Sequence, residues 1–166
     1  MAASDEFRLV SSAIAHEGKL PRKYTEEGQG AAKKLSSPPL EWYNVPDGTK
    51  SLAMVVQDLD ADVIPWTAWV VINIPPSLKG LPEGFSGIKV EELGGGDDYG
   101  EIQEGNNDHK VPGWRVPMLP EPGHRFEFKL YALDDLMHLG HKVTKEKLIE
   151  AVEGHVLGEA VLLSIF

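Results

Sequence analysis

A chain of 166 residues, 42% apolar and 25% charged, is long enough to bury a core and is not composed like a disordered or fibrous protein. It has no cysteine, which excludes disulfides and thiolate zinc sites. Its formal net charge of −10 argues against a nucleic-acid partner and against bulk attraction to an anionic membrane, although a single lipid headgroup held in a pocket stays compatible with it. The longest apolar runs, such as residues 69–72 and 160–163, are too short to span a bilayer, and residues 1–6 lack the basic start and apolar run of a secretory signal. A single domain over residues 1–166, soluble and cytoplasmic, is the expectation.

In chain order, residues 7–11 form a first strand. Residues 28–39, rich in Gly, Ser, Lys and Pro, form a surface loop. Pro46-Asp47-Gly48-Thr49 is a turn, because Pro presets φ and Gly tolerates positive φ. The runs at 51–57 and 69–74 are continuously apolar, as strands buried on both faces are. Residues 124–133 alternate instead, with Phe126, Phe128, Leu130 and Ala132 on one side and Arg125, Glu127 and Lys129 on the other, the pattern of a half-buried strand. Residues 134–139 suit a short helical turn. Thr144 caps a helix whose Leu148, Ile149 and Val152 share a face before Gly154 ends it. Residues 159–166 form a last strand. Strands with long irregular loops and one late helix imply a mostly-β, antiparallel architecture.

Asp58 and Asp60 end a buried strand. Alternate residues of an extended segment share a face, so the two carboxylates converge on one cleft or else simply open a turn; residue types leave both readings open. Asp58-x-Asp60-x-Asp62 superficially matches the start of a calcium loop, but Val63 stands where the glycine is needed and Trp69 where the glutamate is. His138-x-x-His141 lacks a third ligand and suits a polar turn. His155 is explained by the C-terminal end of the helix dipole. His109 sits in a polar loop and carries no signal. His124 opens the amphipathic strand after Pro122-Gly123, a junction that often lines a pocket. Gly94-Gly95-Gly96 lacks the Lys-Ser/Thr of a phosphate loop, and no G-x-S-x-G elbow occurs.

Six passages, in order, resemble the phosphatidylethanolamine-binding protein family, and more closely its bacterial-type, Raf-kinase-inhibitor-like branch. They are Ser37-Pro38-Pro39-Leu40-Glu41-Trp42; the stretch from Val45 through Pro46-Asp47-Gly48 to Ala53; Asp58-Leu59-Asp60-Ala61-Asp62 with Trp66-Thr67-Ala68-Trp69 and on to Pro75; Asn107-Asp108 with Gly113-Trp114-Arg115-Val116-Pro117; Gly123-His124-Arg125-Phe126 running to Asp134; and Thr144-Lys145 with Gly154-His155 through Ala160. The resemblance implies a large central antiparallel sheet packed on a smaller sheet, with a C-terminal helical segment. It also implies a non-enzymatic binding or regulatory protein needing no cofactor or metal. The implied partners are a small anionic ligand or phospholipid headgroup and a protein such as a kinase.

Carried over residue by residue, the implied pocket comprises Asp58, Asp60, Trp66, Ala68, Val116, Pro117, Pro120, His124 and Phe126. It departs from the family pattern at Ala68, which replaces a histidine; at Val116, which replaces a glycine; at Leu119, which replaces a proline; and at Phe126, which replaces a tyrosine. A charged hydrogen bond is worth roughly 1.5–3 kcal/mol, so losing the histidine weakens an anion by about tenfold to a hundredfold. An altered pocket is therefore expected. The competing readings are a hydrolase-like enzyme using Asp58, Asp60 and His124, and a scaffold with a vestigial pocket whose contacts run through the acidic surface and residues 90–108.

Overall fold

A computed structural model describes residues 6–24, 37–61, 65–86, 102–115 and 123–166. Among the described residues nine strands form two sheets. The smaller has the order β1 (Arg8–Val10), β3 (Leu40–Tyr43), β6 (Gly80–Leu81). The larger runs β2 (Gly18–Lys19), β9 (Val156–Ile165), β8 (Arg125–Leu133), β4 (Ser51–Asp58), β5 (Trp66–Ile74), β7 (Gln103–Glu104). Every pairing is antiparallel except the two-residue β2–β9 contact. The one α-helix among the described residues is α1 (Lys145–Val152). No described helix is long and apolar enough to cross a membrane.

The continuous apolar runs are explained by two separate cores. Met54, Val56, Trp69, Val71, Phe128 and Leu130 face the smaller sheet, where Leu9, Leu40 and Trp42 meet them. Ala53, Val55, Val70, Ile72, Tyr131 and Leu133 face the other way and are covered by Leu148 and Val152 of α1, with Met137 and Val143. Strands sandwiched between two apolar layers have no face left for polar side chains, so the period of two disappears from their sequence. β8 shows both regimes. It alternates from Arg125 to Lys129 and is buried on both faces from Leu130 to Leu133, where the second core begins.

Three local expectations need correction. Ile149 does not share the buried face of α1; it is 43% exposed, while Leu148 and Val152 are buried. The expected cap is present, with Thr144 Oγ1 accepting the Lys147 N–H at 3.2 Å. Residues 134–139 form no helical turn. Their backbone is held from the sheet instead: Ser51 Oγ donates to the Asp135 carbonyl at 2.6 Å, and the Asn73 side chain both donates to the Met137 carbonyl and accepts its N–H, at 2.8 and 2.7 Å. Asn73 reaches them from an irregular step in β5, where its φ of 57° lies in the left-handed region that asparagine tolerates. Third, the end of the expected 28–39 surface loop is not at the surface. Ser37 is buried, and its Oγ accepts the Ser86 N–H at 3.0 Å. Residues 25–36, Gly94-Gly95-Gly96 and most of 90–108 lie outside the described residues.

Candidate functional site

The site grows from one end of the large sheet. The Cα register aligns Ser164 of β9 with Phe126 of β8, Phe126 with Asp58 of β4, and Asp58 with Trp66 of β5. Residues directly opposite in a sheet point to the same face. This row therefore lies on the side of the inter-sheet core, with Asp58 between two aromatic residues. Asp58 is the sole buried carboxylate among the described residues, at 0% exposure. A carboxylate out of water is costly unless each oxygen finds a donor. Here both do: Oδ1 accepts the Asp60 N–H at 3.0 Å and Oδ2 lies 2.8 Å from His124 Nδ1.

A carboxylate is a pure acceptor, so the imidazole nitrogen facing it is the protonated one. That fixes the His124 ring and turns Nε2 away from the carboxylate. The backbone on either side is clamped as well. The Gly123 N–H donates to the Phe166 carbonyl at 2.8 Å, and the Phe166 N–H donates to the His124 carbonyl at 2.9 Å. Gly123 has φ +94°, a conformation that lets the chain enter β8 with His124 over Asp58.

Asp60 has a different task. It lies in the turn after β4 and accepts from the Arg125 backbone N–H at 2.8 Å, from Nε at 3.0 Å and from Nη2 at 2.8 Å. Of the two expectations for this segment the structure shows the turn: Asp58 opens an Asx-type turn and faces His124, while Asp60 points to Arg125 and braces that turn against β8. The Arg125 side-chain hydrogen bonds, followed by its backbone N–H, hold the Asp60 carboxyl at about 2, below its ordinary 3.8. A depressed carboxylate contributes stability above its unfolded value and loses it as pH falls from about 4 through about 2. A carboxyl-carbon NMR titration should find the Asp60 midpoint near 2 and Arg125→Ala should return it toward 3.8; a wild-type midpoint already at 3.8 would contradict the bidentate pair.

On the far side of Trp66, β5 carries a bulge. Val56 pairs with Trp69 and Gln57 with Thr67, leaving Ala68 as the extra residue. Ala68 and Trp69 consequently both face the first core, and Ala68 is buried, with its carbonyl accepting the Arg115 N–H at 2.9 Å. The loop after β7 closes this edge. Asp108 Oδ2 accepts the Thr67 N–H at 2.8 Å, and the Asp108 N–H donates to the Thr67 carbonyl at 2.9 Å. Asn107 organises the loop internally, accepting the His109 N–H and donating to the Gly113 carbonyl, both at 2.8 Å. The result sets the His109 ring edge-on to Trp66, with centroids 4.8 Å apart. Trp66 Nε1 donates to the Arg115 carbonyl at 3.3 Å.

The structure therefore brings Asp58, Asp60, Trp66 and His124 to one end of the sheet, with Phe126 buried beside Asp58 and Ala68 buried beneath the rim. Val116, Pro117 and Pro120 lie outside the described residues. Sequence reasoning passed over His109, Asp108 and Arg125 as site residues. The Asn107-Asp108 and His124-Arg125 dipeptides were the available signals, but their partners are Thr67 and Asp60, 41 and 65 residues away. His155, expected to need nothing beyond the helix dipole, has a carboxylate partner, Asp134 Oδ1 at 2.7 Å. Two grooves lie elsewhere, about 650 Å³ along β3–β6 and about 560 Å³ between β1 and β9; neither is lined by a buried carboxylate.

This fold has known counterparts. The family model described as phosphatidylethanolamine-binding protein matches residues 10–166. A "UPF0098 protein" of Methanothermobacter thermautotrophicus is 42% identical over 158 residues, 95% of this chain and 97% of the relative. One from Chlamydia muridarum is 35% identical over 164 residues, 96% and 97%. Among solved structures, the phosphatidylethanolamine-binding protein homologue CT736 of Chlamydia trachomatis superposes with a TM-score of 0.81 at 30% identity, covering 98% of this chain and 97% of its own. E. coli YbcL gives 0.81 at 25% identity, covering 97% and 98%. The chain belongs to the phosphatidylethanolamine-binding protein family.

Proposed function

We propose that this chain is a binding and regulatory protein that holds a small anion, a phosphate or a phospholipid headgroup, at the Asp58–His124–Trp66 end of the large sheet. The observation that carries the proposal is the buried Asp58 carboxylate spent on one nitrogen of a partly exposed imidazole. That arrangement leaves Nε2 as a preoriented donor to an anion whenever the ring is protonated. Trp66 supplies an apolar wall, and the acids nearest the ring are already engaged: Asp58 by His124 and Asp60 by Arg125. Among the described residues no hydroxyl is hydrogen-bonded to His124, so the imidazole is arranged as a donor to a ligand more than as the base of a nucleophile pair.

The test is a titration with inorganic phosphate and with phosphorylethanolamine, following the amides around His124 and Asp60. Both ligands should shift these amides at millimolar concentration, and His124→Ala should weaken both by about tenfold. Unmoved amides in the wild-type protein would refute the proposal. Turnover of a phosphoester or carboxyl-ester substrate, lost in His124→Ala, would replace it with a hydrolase.

A further inference from the structure

We infer that His109 is a second anion-recognising residue of this site, delivered onto Trp66 by the 107–113 loop; the inference rests on the anion-binding reading above and adds to it.

The sheet order explains the placement. β4 lies between β8 and β5, and the His109 loop closes the other edge of β5. His124 leans from the start of β8 over Asp58 of β4, whereas His109 approaches Trp66 of β5 from the opposite side. The two imidazoles thus attend neighbouring strands, whose axes are about 5 Å apart, His124 at Asp58 and His109 at Trp66. A phosphoryl group seated against Trp66 has donors available from both directions.

Three features separate His109 from an ordinary loop histidine. Its side chain is exposed yet its ring lies edge-on to Trp66, and its ring nitrogens have no hydrogen-bond partner among the described residues. They are therefore open to a ligand. Its backbone is fixed: the N–H donates to Asn107 Oδ1, the preceding residue is doubly bonded to Thr67, and the following Lys110 closes the turn with φ +65°. A positive φ on a non-glycine residue costs energy and persists only where the surroundings enforce it. Finally, the charge is distributed usefully. In a chain of net charge −10 this loop carries Lys110 beside His109, and its acid, Asp108, accepts the Thr67 N–H. Ala68, buried on the same strand, offers an anion no side-chain donor. His109 offers one from the adjoining loop.

The decisive variant is His109→Phe, which keeps a ring on Trp66 and removes both nitrogens. Affinity for inorganic phosphate and for phosphorylethanolamine should fall about tenfold in His109→Phe and in His109→Ala alike, with unchanged thermal midpoints. Wild-type affinity in His109→Phe, alongside loss in His124→Ala, overturns the inference and leaves the anion site standing. Loss in His109→Ala with retention in His109→Phe assigns the residue to packing and also overturns it. An effect confined to phosphorylethanolamine shows that His109 reads the organic group and not the phosphoryl. Absence of any wild-type phosphate binding removes this inference together with the reading beneath it.

Discussion

Replacing Asp58 with alanine is expected to lower the stability of the folded chain by about 2–4 kcal/mol and to weaken phosphate by about tenfold. The size follows from what is left behind. Asp58 satisfies two donors at once, the Asp60 N–H at 3.0 Å and His124 Nδ1 at 2.8 Å, and it does so at 0% exposure. An alanine leaves the backbone donor at the turn without its acceptor, and a donor so abandoned costs more than the net worth of the bond that satisfied it. It also frees the imidazole to rotate, which removes the preorientation that the anion site requires. Asp58→Asn separates these consequences. The single amide oxygen can stand where only one of the two carboxylate oxygens stood, and its NH₂ must then face the other donor. That variant should therefore fold with a smaller loss, about 1–2 kcal/mol, yet lose phosphate affinity almost as fully as Asp58→Ala. Urea unfolding and a phosphate titration on the two variants decide the matter. A wild-type unfolding midpoint in Asp58→Ala would remove the structural argument, and wild-type phosphate affinity in Asp58→Asn would remove the positioning role.

The fold was legible in the sequence wherever the physics was local. The Pro46–Thr49 turn forms as its residues dictate, with the Thr49 N–H and hydroxyl both bonded to the Pro46 carbonyl and Gly48 at φ +86°. Strands β4, β5 and β8 occupy the expected apolar runs, and Thr144 caps the expected helix. Failures occurred where long-range contacts override local preference. Residues 134–139 have ordinary helix-compatible composition, but Ser51 and Asn73 take their backbone groups from 84 and 64 residues away. Ile149 fits an apolar helix face, but the second core takes Leu148 and Val152, with Ala151 beside them, and leaves Ile149 43% exposed. At the site, Asp58 and His124 could be chosen because each sits at a strand end with a recognisable neighbour. His109 could not, because nothing within its own loop says that Asp108 will pair with Thr67 and turn the next residue onto Trp66. The order of strands makes that contact, and strand order is the least local property of a sheet.

The same dependence on distant contacts singles out Trp114 as the residue whose loss should cost most. Its ring stacks on Phe128 of β8 with centroids 5.9 Å apart and meets Trp69 of β5 edge-on at 5.8 Å, while Nε1 donates to the Tyr24 carbonyl at 2.9 Å. Its N–H donates to Ser86 Oγ at 2.7 Å. One side chain thus joins the segment near residue 24, the large sheet and the loop that carries His109. Trp114→Ala opens a void in the first core and strands the Tyr24 carbonyl, so a destabilisation of about 3–5 kcal/mol is expected. Trp114→Phe keeps the stack and the edge contact but not the indole donor, and should cost about 1–3 kcal/mol. Circular dichroism is the proper readout for urea unfolding, because the chain has four tryptophans and the substitution deletes one of the fluorescent reporters. The difference between the variants measures how much of the role is ring and how much is hydrogen bond. Equal losses in both would mean that the Tyr24 carbonyl contact dominates. A small loss in Trp114→Ala would mean that the 102–115 loop is held on the sheet by its other contacts, among them Asp108–Thr67, Arg115–Ala68 and Trp69–Glu104, and the His109–Trp66 contact should then survive the substitution unchanged.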